Sequence, residues 1–313
     1  MRIDFPFLVI LALAVTVTLG ATYQRSSQLA GQSFLDAFSF QAITDPTHGR
    51  VTYVNESTAR ADKLVSVANN KLTLRADYTT KLSSSDPGRK SFRIMSNSQY
   101  ETHVAIFDIA HMPQGCGTWP AILGANWPNG GEIDIVEGVN DQTPNTCSLH
   151  TSSNCTMPSS RSMSGTVRGT DCYAYDNGNA GCGVSINDDK SYGPQFNSNG
   201  GGWYAIEKRS SYIKIFFWER TSSSVPSDVK SPGPSIDTSH WGTPAANFPD
   251  TDCDLSTHFG PQNIIINLTF CGDWAGAVYA ASGCPSTCAD YVNNNPSAFK
   301  NAYFEFNSLN IYQ

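Results

Sequence analysis

Apolar and polar residues alternate along this chain in short runs, a pattern of strands and not of helical turns. The clearest runs are Leu72-Thr-Leu-Arg, Val104-Ala-Ile-Phe-Asp-Ile, Tyr212-Ile-Lys-Ile-Phe-Phe-Trp, Asn263-Ile-Ile-Ile-Asn-Leu-Thr-Phe and Tyr303-Phe-Glu-Phe. Many short strands punctuated by Gly, Pro, Asn and Ser predict an all-β chain, a sandwich or jelly roll whose curved sheet offers a concave face. Trp203 and Trp218 fall inside strand patterns and are assigned to the core. One short helix is expected around Thr287-Cys-Ala-Asp-Tyr-Val, with Thr287 as its cap.

The first twenty residues depart from this alternation. Arg2 precedes the unbroken apolar run Phe5-Pro-Phe-Leu-Val-Ile-Leu-Ala-Leu-Ala-Val, and the small residues Gly20 and Ala21 follow it, the pattern of a cleaved signal peptide. A membrane anchor needs about 20 apolar residues, and Thr16, Thr18 and Gly20 interrupt this run. Residues 1–20 are therefore read as a signal peptide and residues 21–313 as a single secreted, monomeric domain that leaves the membrane once cleaved. The Ser/Pro-rich stretch Thr221–Pro234 is short and reads as a surface loop, not a linker.

A net charge of −7 with no basic cluster makes nucleic acid an unsuitable partner. Nine cysteines behind a signal peptide point to several disulfides, and the odd number leaves at least one thiol free or paired with another molecule. Cys284-Pro-Ser-Thr-Cys288 lacks the further ligands that zinc requires, so it is read as a local disulfide or as halves of two separate bridges. No metal or cofactor is assigned. Asn55, Asn154 and Asn267 open Asn-x-Ser/Thr sequons, and Asn267 sits within a strand pattern.

The richest stretch for chemistry is Gly131-Glu-Ile-Asp-Ile-Val-Glu137-Gly-Val-Asn140. Strict alternation puts Glu132 and Asp134 on one face, and Glu137, five positions beyond Glu132, on the other. A β-bulge near Ile135-Val136 would return Glu137 to the face of the other acids and let both apolar residues enter the core. Two leaning Glu side chains can then close to the separation of about 5–5.5 Å that marks retaining glycosidases. Glu132 is assigned as nucleophile, Glu137 as general acid/base with a pKa raised by its neighbour, and Asp134 as their hydrogen-bonded assistant. An acidic strand facing water, or a calcium site built from the three carboxylates, is the competing reading.

Aromatic residues on loops or strand ends surround the acids: Trp119 in Gly117-Thr-Trp-Pro-Ala, Trp127 in Asn126-Trp-Pro-Asn-Gly, and Trp274 in Cys271-Gly-Asp-Trp-Ala-Gly. A Trp at a cleft edge can bury the apolar face of a sugar ring while its indole N–H bonds a hydroxyl. His150, thirteen residues past Glu137, falls at the distance of the next paired strand and could donate to a sugar or to the acids.

The acidic stretch resembles the active-site signature of glycoside hydrolase family 16, in the bulged form of its laminarinases. The resemblance extends through Asp45–Val54, Gly88–Ile94, Gly117–Ala121, Asn267–Gly276 and Asn310–Tyr312, nearly the whole mature chain, and is nearest to basidiomycete-type endo-1,3(4)-β-glucanases. It implies a β-jelly-roll sandwich of two curved antiparallel sheets with a concave substrate cleft, retention of configuration, and the same roles for Glu132, Asp134 and Glu137. It implies cleft positions for Trp119, Trp127, His150 and Trp274, and its segments bring Arg93 and Asn140 forward as further glucan-binding residues. The expected substrate is a β-1,3-glucan, with mixed β-1,3/1,4 and β-1,6-branched glucans as further candidates. A transglycosylase and a non-catalytic glucan-binding protein are the rival functions.

Overall fold

The computed structural model describes residues 21–313 apart from Pro128, so the expected signal peptide lies outside the described residues. All five alternating runs are strands, bounded at Lys71–Arg75, His103–His111, Tyr212–Glu219, Gln262–Phe270 and Tyr303–Tyr312. They divide between a nine-stranded and an eight-stranded sheet, each paired antiparallel. A separate small pairing, Val51–Tyr53 with Arg89–Ser91, is parallel.

In the eight-stranded sheet the order is Thr166–Val167, Val184–Ser185, Thr146–His150, Glu132–Glu137, Thr118–Ala125, Gln262–Phe270, Arg93–Tyr100 and Phe38–Phe40. The acidic strand is thus central, flanked on both sides. Alternation sends Ile94, Ile122, Ile133, Leu149 and Ile266 inward, where they join Phe107, Ile206, Ile215, Phe304 and Ile311 of the nine-stranded sheet in one buried cluster. Each such fully buried side chain contributes about 1.5–3 kcal/mol against exposure, which fixes the two-layer jelly roll and the register of its strands.

The far face of the nine-stranded sheet is also apolar: Val104, Ile106, Trp203, Trp218 and Tyr312 form a second buried cluster. Trp203 and Trp218 are core residues as expected, but of this outer layer. Its cover comes from the stretch expected as a surface loop, Thr221–Pro234, together with the residues that follow it as far as Trp241, which work as a strap. Val229, Ile236 and Trp241 pack into the cluster, Trp241 donates to Asp228 Oδ1 at 3.0 Å, and the Tyr312 hydroxyl donates to the Gly233 carbonyl at 3.0 Å. Glu207 is buried beneath, accepting from Tyr23, Tyr212 and Thr238.

Disulfides join Cys116 to Cys284, Cys155 to Cys253, Cys172 to Cys182, and Cys271 to Cys288. Cys284 and Cys288 therefore belong to two separate bridges. Cys147 is the free thiol, and it is buried. The expected helix spans Cys288–Asn294, and the Thr287 side chain accepts from the Asp290 N–H. Asn55 and Asn154 are exposed. Asn267 is buried in its strand, which removes it as a glycosylation acceptor. No helix among the described residues is long and apolar enough to cross a membrane.

Candidate active site

Pairing of Glu132–Glu137 with Thr118–Ala125 runs Glu132 to Ala125, Ile133 to Gly124 and Asp134 to Leu123, then slips so that Val136 faces Ile122 and Glu137 faces Ala121. One extra residue on the acidic strand, a bulge at Ile135, is the expected device. Ile135 and Val136 are both buried in the inter-sheet core. Glu132, Asp134 and Glu137 consequently share the sheet face turned away from that core.

Asp134 is buried at 1% exposure, whereas Glu132 and Glu137 remain partly open to solvent. Asp134 Oδ2 lies 3.1 Å from His150 Nε2, and the ligand-capable atoms of Glu132, Asp134 and His150 lie within 4.8 Å of one another. Asp134 thus stands between His150 and Glu132. His150 in turn is held through Nδ1 against Asn179 Oδ1 at 2.9 Å, a residue the sequence did not single out.

Loss of water raises all three carboxyls. Burial is the main cause for Glu132, followed by the Asp134 charge, and burial alone raises Asp134. Glu137 is pushed up to about 8, by burial first and then by Asp134, while the Trp119 hydrogen bond works in the opposite direction. Three acids this close cannot all ionise near neutral pH, so the cluster retains a proton to give.

Trp119 Nε1 donates to Glu137 Oε1 at 2.8 Å. Its indole N–H therefore serves the acid instead of a sugar hydroxyl, while its partly exposed ring stands edge-on to Trp274 at 5.7 Å. Trp127, 44% exposed, lies 6.1 Å from the His150 ring. Between these rims Met95, Ala121, Leu123, Ala125 and Ile265 make an apolar floor.

Arg93 shares the row of Glu137, Ala121 and Asn267 on the same face. Its Nε donates to Gln41 Oε1 at 3.0 Å and its Nη1 to Asn267 Oδ1 at 3.4 Å. Asn140 is a correction: it is 1% exposed and its carboxamide is engaged within the protein. Oδ1 accepts from Gly117 N and Nδ2 donates to the Ala275 carbonyl, each at 2.8 Å. It ties the segment just before the strand of Trp119 to the segment that carries Trp274, and its carboxamide is turned inward. Besides Asn179, the sequence also missed Asn145, fully buried beside the bulge.

Two clusters among the described residues have metal-ligand composition. Cys155, Cys253 and His258 form one, but its sulfurs are joined in a disulfide. Glu132, Asp134 and His150 form the other and are the acid site itself. A bulged central strand that collects three carboxylates beside an apolar, tryptophan-rimmed floor defines a carbohydrate-cleaving class, the β-jelly-roll glycoside hydrolases.

The XgeA-like, catalytic GH16 domain matches residues 38–312. The chain belongs to glycoside hydrolase family 16. Laminarinase 16A from Phanerochaete chrysosporium, seen with β-glucans in both donor and acceptor sites, is 54% identical, covers 94% of this chain and 100% of its own, and superposes with a TM-score of 0.93. An elongating family 16 β-1,3-glucosyltransferase is 42% identical over 93% of this chain and 100% of its own, with a TM-score of 0.87. A probable glycosidase of Schizosaccharomyces pombe is 45% identical over 93% of this chain and 70% of that relative. A probable endo-1,3(4)-β-glucanase of Aspergillus clavatus is 44% identical over 93% of this chain, which spans 46% of that relative's length.

Proposed function

We propose that this chain is a secreted, retaining endo-β-glucanase that hydrolyses β-1,3-linked glucan. The observation that carries the reading is the bulge at Ile135, which gathers Glu132, Asp134 and Glu137 on one face beside Trp119. Glu132 attacks the anomeric carbon while protonated Glu137 gives its proton to the departing glycosidic oxygen. Water then attacks the anomeric carbon of the glycosyl-enzyme and expels the Glu132 carboxylate, while Glu137 takes a proton from that water. Asp134, next to His150, keeps a proton near Glu132 and modulates its charge between the two steps. Glucan rings lie on the apolar floor and against Trp119, Trp127 and Trp274, with Arg93 and His150 as polar partners.

Glycosyl transfer is a second reading, favoured by the glucosyltransferase at 42% identity. It shares the glycosyl-enzyme and differs in whether a sugar hydroxyl replaces water. Incubation with laminarin and with lichenan, followed by product size, separates the readings. The hydrolase yields short oligosaccharides from laminarin, and lichenan products measure tolerance of mixed linkages. Glu132→Ser abolishes hydrolysis and leaves laminarin binding intact; more than trace activity in that variant would remove Glu132 as nucleophile. Products longer than the substrate support transfer, and binding without any product supports a recognition protein.

A further inference from the structure

Where the bulge interrupts the acidic strand, its pairing with Thr146–His150 also stops. The ladder runs Glu132 to His150, Ile133 to Leu149 and Asp134 to Ser148, and goes no further. The buried Ile135 carbonyl and the part-buried Glu137 N–H have no strand left to meet them. Such groups need partners, since a buried peptide group left unpaired has lost its hydration with nothing in return. Both are met by a single side chain. The Glu137 N–H donates to Asn145 Oδ1 at 2.9 Å, and Asn145 Nδ2 donates to the Ile135 carbonyl at 3.0 Å.

We propose that Asn145 is a positioning residue for catalysis, its carboxamide standing in for the missing strand and fixing the backbone that carries the acid/base Glu137. A carboxamide sets an acceptor oxygen and a donor nitrogen on one planar group, as a peptide unit does, so it fits a gap in a ladder. The clamp is itself held. Asn145 is fully buried, its N–H donates to Ser191 Oγ at 2.9 Å, and its carbonyl accepts from Ile186 N at 3.0 Å. Beside it the Cys147 thiol lies 3.4 Å from the same Ile135 carbonyl, which gives the unpaired cysteine a packing role at the bulge. On its other side Glu137 is held by Trp119 at 2.8 Å. Backbone and carboxyl are thereby fixed independently.

The inference rests on the proposed hydrolase reading and is tested within an active wild type, so inactivity of the wild type towards laminarin would overturn that reading first. In Asn145→Ala, kcat on laminarin falls roughly 10²-fold with KM within about twofold, because the acid is misplaced while the glucan floor is untouched. An aryl β-laminaribioside with a dinitrophenolate leaving group needs no proton from Glu137. Its single-turnover release therefore stays within a few-fold of wild type, a split that a general folding defect would not produce. Asn145→Asp keeps the acceptor for the Glu137 N–H and recovers part of the kcat. Equal losses on both substrates, or wild-type kcat in folded Asn145→Ala, overturn the proposal. Should that variant not fold, Asn145→Asp decides alone: it must show the same split in weaker form, and parity with wild type on laminarin overturns it.

Discussion

Burial, helped by the Asp134 charge, moves the Glu137 carboxyl from its usual 4.5 to about 8. A carboxyl raised on folding binds a proton that the unfolded chain has already released, so the contribution of Glu137 to stability is fullest below about pH 4.5 and is lost as pH rises through about 8. Glu137→Gln removes that penalty and should raise stability at pH 8 by on the order of 1–2 kcal/mol, discounted because the carboxyl is partly open to solvent, or a few degrees in Tm. At pH 4 the same substitution should change Tm little. Calorimetry at the two pH values checks this, and an equal shift at both would contradict it. Trp119→Phe deletes the hydrogen bond that favours the ionised form, so the alkaline limb of kcat/KM on laminarin should move to higher pH. A shift to lower pH would mean that the indole does not stabilise the Glu137 carboxylate. The three acids were legible in the sequence because their spacing breaks alternation. Asn140 was misread, since proximity to the motif says nothing about which way a side chain turns. Asn145 was invisible because its role depends on where a ladder stops.

At the scale of elements, the bulge was the most legible feature: an odd spacing of acids and two adjacent apolar residues admit few solutions in a half-buried strand. The strap over the nine-stranded sheet was not legible. Alternation shows that one face of a strand is apolar, and Tyr212–Glu219 reads as apolar on both, yet no local pattern says which distant segment supplies the second cover. Trp241 sits edge-on to both Phe216 and Trp218, at 5.3 and 5.7 Å. Trp241→Ala should therefore cost about 3–5 kcal/mol in urea unfolding. Because the strap lies on the opposite sheet from the acids, kcat on laminarin should stay near wild type at temperatures where the variant is folded. Loss of kcat without loss of stability would mean that the strap communicates with the site.

For the whole molecule, two layers assign two tasks. The nine-stranded sheet is covered on both faces, sharing the inter-sheet core and adding a second apolar cluster of its own. The eight-stranded sheet is covered on one face only and presents its acids and tryptophans on the other. Cys116, just before the strand of Trp119, and Cys271, three residues before Trp274, are bridged to Cys284 and Cys288, so both sides of the rim are tied covalently to the same C-terminal segment. Sequence gave access to the fold class and to the catalytic face through alternation. Bridge connectivity stayed closed to it, because which cysteines meet is decided by the packing of distant strands. The central claim is a double displacement by Glu132 and Glu137. Its most direct test is to follow laminarin cleavage by proton NMR from the first minutes and read the configuration at the new reducing end. The account predicts β-configured products that mutarotate only later; first-formed α-configured products would mean single displacement by water and would contradict Glu132 as the nucleophile.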